Sequence, residues 1–143
     1  MAGTWYKVLN RNSGKALEIG GQTTNDGAGA DQWDYLGQAN QKWQFVATDS
    51  GYYEAKVQNS SKALDVDGAS TADGARVQQW SYGGGTNQQW KVIDLGNGYY
   101  ELTARHDGKA LGIVSSGTTN GNLVSQYSYS GLASQQWTIV ATN

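Results

Sequence analysis

A fixed period of 47 residues governs this chain. The motif Gln-x-Trp occurs as Gln41-Lys42-Trp43, Gln88-Gln89-Trp90 and Gln135-Gln136-Trp137. The same offset relates Lys15-Ala16-Leu17, Lys62-Ala63-Leu64 and Lys109-Ala110-Leu111, and also Tyr6, Tyr53 and Tyr100. No insertion or deletion breaks the register. A repeat at this period is a unit that cannot bury its apolar face alone and must share a core with its copies. The units run over 4–50, 51–97 and 98–143, and at 143 residues they form a single domain, 1–143.

Within each unit, short alternating runs are separated by turn residues. In the second, Tyr53, Ala55 and Val57 alternate with Glu54 and Lys56, a period-two strand. Asn59-Ser60-Ser61 follows as a turn, and its counterpart Asp107-Gly108 is a hairpin signal. Leu64 and Val66 share one face, which turns Asp65 to the other. After a polar loop over 68–74, the segment 75–82 reads as a third strand and 90–93 as a fourth, with no helical period longer than a turn. Three units of four strands make twelve. An antiparallel sheet must hide its edges, and closure is the direct way to do so. Threefold repetition of twelve short strands therefore predicts an all-β fold, a β-trefoil, in preference to a sandwich or a three-bladed propeller.

The totals exclude several functions. Ten basic and twelve acidic residues, with no basic run, give a net charge of −2. Such a balance offers nothing to a nucleic acid or an anionic membrane. No apolar stretch approaches the roughly 20 residues of a membrane helix, and none reads as a signal peptide. The absence of cysteine removes disulfides, thiol nucleophiles and thiolate metal sites. Six Trp and nine Tyr against one Phe favour surfaces that are part apolar and part hydrogen-bonding.

Three Gln-x-Trp repeats, each led by Asn-Gln or Ser-Gln, resemble the ricin B-type lectins and the family 13 carbohydrate-binding modules. The resemblance spans about Trp5 to Val140. It implies a non-catalytic carbohydrate binder with no cofactor, a monomer, secreted as a module of a larger protein. Galactosides such as lactose, or plant polysaccharides such as xylan, arabinan or galactan, are the implied partners. A non-lectin or engineered trefoil scaffold, of no implied location, is the alternative. Many members bridge their repeats with disulfides, and this chain cannot.

The resemblance places the best sugar site on Asp65, Gln78, Trp80, Asn87 and Gln88. The residue types suit a pyranose. A flat aromatic covers its C–H face, and short acceptors and donors read its hydroxyls. Alternation puts Gln78 and Trp80 on the outward face with Asp65. Removing Asp65 is therefore expected to abolish binding there at a stability cost within about 1 kcal/mol, as for surface changes. A variant site falls on Glu18, Asp31, Trp33, Asn40 and Gln41, where two acids face one pocket. They repel each other, and two carboxylates are too few for a hard cation, so no metal is assigned. The third unit keeps only Tyr127 and Gln135, with Gly112, Ser125 and Ser134 in place of acid, Gln and Asn, and is expected to be weak or silent. Trp43, Trp90 and Trp137 are expected in the core.

An enzyme is not expected. Glycoside hydrolysis normally needs two carboxylates about 5–10 Å apart across a cleft, and Glu18 and Asp31 are the only pair to consider. His106 lies in a hairpin turn opposite Asn12 and Asn59 of the other units and reads as a turn residue. No nucleophile-elbow, P-loop or zinc-helix pattern occurs.

Overall fold

The computed structural model describes residues 3–142; Met1, Ala2 and Asn143 lie outside the described residues. Its twelve strands are β1 (Tyr6–Asn10), β2 (Ala16–Ile19), β3 (Ala30–Trp33), β4 (Trp43–Ala47), β5 (Tyr52–Val57), β6 (Ala63–Val66), β7 (Val77–Trp80), β8 (Trp90–Gly96), β9 (Tyr99–Ala104), β10 (Ala110–Ile113), β11 (Val124–Tyr127) and β12 (Trp137–Ala141). The first and fourth strands of each unit close a six-membered ring: β1 pairs β12 and β4, β4 pairs β5, β5 pairs β8, β8 pairs β9, and β9 pairs β12. Closure leaves the barrel without an edge. The remaining strands form three antiparallel hairpins, β2–β3, β6–β7 and β10–β11. These hairpins meet one another through the bridges Gly29–Gln78, Asp31–Leu123 and Arg76–Ser125. The expected β-trefoil is therefore the observed fold.

The core is built in triplets from equivalent positions. Leu17, Leu64 and Leu111 are buried, as are Trp43, Trp90 and Trp137, which are 0% exposed. Each indole Nε1 donates to the carbonyl of the leucine in its own unit, at 2.9–3.0 Å: Trp43 to Leu17, Trp90 to Leu64 and Trp137 to Leu111. A buried Trp needs such a partner for its polar end. The bond also ties the first strand of each hairpin to the barrel.

Glutamines join one unit to the next. Gln32 donates to the carbonyls of Gly117 and Thr119, Gln79 to those of Thr23 and Asn25, and Gln126 to those of Ser70 and Ala72. The turn residues act similarly: Asn12 reaches the Ser116 carbonyl, Asn59 the Gln22 carbonyl, and His106 Nε2 lies 2.7 Å from the Ser70 carbonyl. His106 is thus a link between units.

Two expectations fail in the hairpins. The third strand of the second unit is Val77–Trp80, shorter than 75–82. More consequentially, β6 is buried along its whole length, Asp65 included. One face of the hairpin covers the barrel. Its other face is covered by the 3₁₀ turn Thr86–Gln88, which precedes Trp90. Period-two alternation therefore does not separate interior from solvent here. Glu54, on β5, is also buried.

Candidate functional site

Each hairpin and the 3₁₀ turn before the Gln-x-Trp tryptophan enclose a surface cavity. The cavity of the second unit is the most developed, about 510 Å³, and its lining includes all five expected residues, Asp65, Gln78, Trp80, Asn87 and Gln88. Their exposure corrects the expectation that Asp65, Gln78 and Trp80 all project outward. Trp80 is 45% exposed, whereas Asp65 and Gln78 are each 4% exposed. The carboxylate and the amide form a floor, and the indole is the wall above it.

The floor is held by a network. Asp65 and Gln78 are opposite one another in the β6–β7 register. Gln78 Nε2 donates to Asp65 Oδ1 at 3.1 Å; Gln88 Nε2 and Asn87 Nδ2 donate to Oδ2 at 3.0 and 3.4 Å. The remaining donors of the turn are committed to backbone: Asn87 Nδ2 to the Val66 carbonyl, and Gln88 Nε2 to the Ser81 carbonyl. Gly83 N donates to Gln88 Oε1. Burial pushes the Asp65 carboxyl above its usual range, while the bonds from Gln78 and Gln88 oppose that shift.

Counting what is left defines the chemistry. Asp65, with about four lone-pair sites when ionised, has three occupied. Gln78 keeps one N–H and Asn87 keeps its Oδ1. Gln88 has no N–H left and acts as a brace. The free set is two acceptors, one donor and an aromatic face, which matches a ring with hydroxyls on one side and C–H groups on the other. Towards a ligand Gln78 is thus a donor and Asn87 an acceptor, and Asp65 keeps a single acceptor position.

Sequence reasoning missed several supports. Arg76 Nη1 donates to Gln78 Oε1 at 2.7 Å and its Nη2 to the Gly27 carbonyl at 2.7 Å, orienting the amide so that its NH₂ faces Asp65. The Gly27 backbone of the first unit, at φ +90°, lies beside the Trp80 ring; a Cβ there would be 3.7 Å from its Cζ3. Asp26 accepts from Ser81 N at 2.8 Å. The site is therefore completed by a loop from the preceding unit. The signal for Arg76 was present as a lone cation where the other units have Gly29 and Leu123.

The first unit has a smaller cavity of about 290 Å³, lined by Glu18, Trp33 and Asn40 among others. Trp33 is 40% exposed. Asp31 and Gln41 are not part of that lining. Glu18 Oε1 accepts from Gln41 Nε2 at 3.1 Å and Asn40 Nδ2 at 3.4 Å. Asp31 faces Glu18 across the β2–β3 register. The Asp31 carboxyl is pushed up to about 8, first by burial and then by Glu18. The two acids are cross-strand neighbours in one wall, not a pair flanking a cleft.

The third cavity, about 250 Å³, is lined by Tyr127, Ser134 and Gln135 among others. Two of its serines pair with each other, Ser116 Oγ with Ser134 Oγ at 2.8 Å. A Cβ at Gly112 would lie 3.2 Å from Gln135 Cγ, so the glutamine side chain occupies the space beside the missing acid. Among the described residues, no group of three or more His, Cys, Asp or Glu is placed to hold a metal ion, and no helix is long and apolar enough to cross a membrane.

A closed threefold barrel, two of whose hairpins carry an exposed Trp over a hydrogen-bonded floor, defines the class of β-trefoil domains with surface cavities. The pattern of the family described as ricin-type beta-trefoil lectin domain-like matches residues 1–80, 39–127 and 86–143, and the chain belongs to that family. This fold suggests carbohydrate binding and is generally non-catalytic. Among solved structures, a designed threefold-symmetric protein, ThreeFoil, is 52% identical over 95% of this chain and 97% of its own, with a TM-score of 0.94. An exo-β-1,3-galactanase from Clostridium thermocellum is 36% identical with a TM-score of 0.96; the match covers 98% of this chain but only 30% of the enzyme. The Macrolepiota procera ricin B-like lectin in complex with lactose is 22% identical, covering 99% of this chain and 98% of its own with a TM-score of 0.86, a likeness of fold. No curated protein sequence matches the chain.

Proposed function

We propose that the chain is a non-catalytic galactoside-binding module with sites of unequal quality, the second unit's being the best, the first a variant and the third weak. The observation that carries this reading is the half-exposed Trp80 over the buried acceptor Asp65 and the partly buried Asn87. Galactose carries adjacent cis hydroxyls, which the remaining Asp65 acceptor, Asn87 Oδ1 and the free Gln78 N–H can share, and its opposite face is apolar. Lactose and β-galactans are the ligands this geometry favours; the match to part of a galactanase supports a galactan. Xylan and arabinan, which present other hydroxyl patterns, rank behind.

A shallow site of this kind binds weakly, near 1 mM or about −4.1 kcal/mol. Two sites on one globule gain affinity for a polymer through effective concentration. That favours a monomer acting on polysaccharide or glycosylated surfaces, as part of an extracellular protein. The 52% identity to a designed protein favours a second reading, a trefoil scaffold without a sugar.

Calorimetry with lactose, together with a glycan array, separates the two. The lectin reading expects galactosides to bind and Trp80→Ala to remove the tighter site while the fold persists. A blank array, with no heat from lactose or galactan, would establish the scaffold.

A further inference from the structure

Two carboxyl groups in the first unit stand where the second has a carboxylate and an amide, and this substitution has a chemical consequence. In the second unit, Gln78 Nε2 donates to Asp65 Oδ1 at 3.1 Å across the β6–β7 register. The same register in the first unit sets Asp31 against Glu18. An ionised carboxylate has no hydrogen to give. Glu18 is already the acceptor of its local network, since Gln41 and Asn40 both donate to its Oε1. Asp31 Oδ1, by contrast, is buried with no hydrogen-bond partner.

We propose that Asp31 holds a proton and donates it to Glu18, so that a neutral carboxyl does in the first unit what the Gln78 amide does in the second, and that the first cavity binds galactosides only while this proton is in place. The inference rests on the galactoside reading of the preceding subsection and names Asp31 as the positioning residue of that site. It acts through Glu18, which lines the cavity, and does not itself line it.

Among the described residues, no cation forms an ion pair with Asp31. From the 3₁₀ turn Ala39–Gln41 come neutral Asn40 and Gln41. From β11 comes the bridge to Leu123, before that strand, and from β7 the bridge of Gly29 to Gln78. Arg76, which lies against Gly29, is held by Gln78 and the Gly27 carbonyl. Asp34, three residues on, is exposed and paired with Lys15 at 2.6 Å. Burial and Glu18 both favour the neutral form of Asp31, in the direction the geometry requires. Loss of the proton sets two like charges side by side in a partly desolvated wall, where repulsion is weakly screened. Glu18 is then driven from its place under Trp33.

Two NMR measurements on the whole chain test this. Carbon-detected titration of the side-chain carboxyls is expected to give Asp31 a midpoint near 8, far above an ordinary aspartate. Lactose titration read at the Trp33 indole N–H is expected to weaken about tenfold between pH 6 and pH 9, the loss of protonated form one unit above such a midpoint. The Trp80 response should be equal at the two pH values. In Asp31→Asn, which donates at any pH, the Trp33 response should be equal too. An Asp31 midpoint near 4, or a wild-type Trp33 response that is the same at pH 6 and pH 9, overturns the proposal while leaving the sugar reading standing. Silence of both indoles at every pH overturns the sugar reading, and the gated site with it.

Discussion

Replacing Trp90 with Phe tests how the core holds the site. The Trp90 indole is fully buried and donates to the Leu64 carbonyl at 3.0 Å, one residue before Asp65. Phe keeps most of the apolar volume but removes the donor and part of the ring. A buried acceptor left unpaired costs about 1–3 kcal/mol, and the lost ring volume adds on the order of 1 kcal/mol. Together this is about 2–4 kcal/mol, or a Tm lowered by roughly 5–15 °C for a domain of this size. The equivalent change Trp137→Phe breaks the bond to Leu111 at 3.0 Å and should cost a similar amount. The two variants should differ in binding. Trp90→Phe loosens the strand that carries Asp65 and should weaken lactose at the second site several-fold. Trp137→Phe loosens the strand that carries Gly112, where no acid sits, and should leave that affinity unchanged. Thermal melts and lactose calorimetry on both variants provide the assay. Equal losses of binding in the two, or a Trp90→Phe protein as stable as wild type, would refute the view that the core indole positions the acid strand.

Asp65→Ala should abolish binding at the second site and, contrary to the surface-residue expectation, cost about 1–3 kcal/mol or more, because Gln78, Asn87 and Gln88 all lose an acceptor; chemical denaturation measures it, and a cost below 0.5 kcal/mol would contradict the network. Asp31→Asn should raise Tm relative to wild type by an amount that grows as pH rises from about 4 to about 8. Over that window the folded wild type keeps a proton that its unfolded chain has released, so its stability falls with rising pH. A difference in Tm that is independent of pH would count against the raised Asp31 value.

The period and the four-strand unit made the barrel legible, because indel-free spacing of Leu64-type and Trp90-type positions left few ways to share a core. The clustering of the second unit's candidates was legible too: the five residues assigned by resemblance line one cavity. Its depth was not. Alternation assumes one covered face, and β6 is covered on both, so Asp65 and Gln78 read as exposed when they form a floor. Arg76 escaped notice because its contacts, to Gln78 and to Gly27 of another unit, depend on how hairpins meet at the threefold axis. For Glu18 and Asp31, sequence showed two acids that should repel. Only the cross-strand register and the orphaned Asp31 oxygen supply the grounds for proposing Asp31 as the donor.

The most direct test follows the indole N–H resonances of the six tryptophans during a lactose titration. The account predicts that the Trp80 signal moves at the lowest ligand concentration, that Trp33 follows, and that the buried Trp43, Trp90 and Trp137 stay in place. A saturable shift at Tyr127 and its neighbours while the Trp80 indole is unmoved, or no shift anywhere with any galactoside, would contradict it.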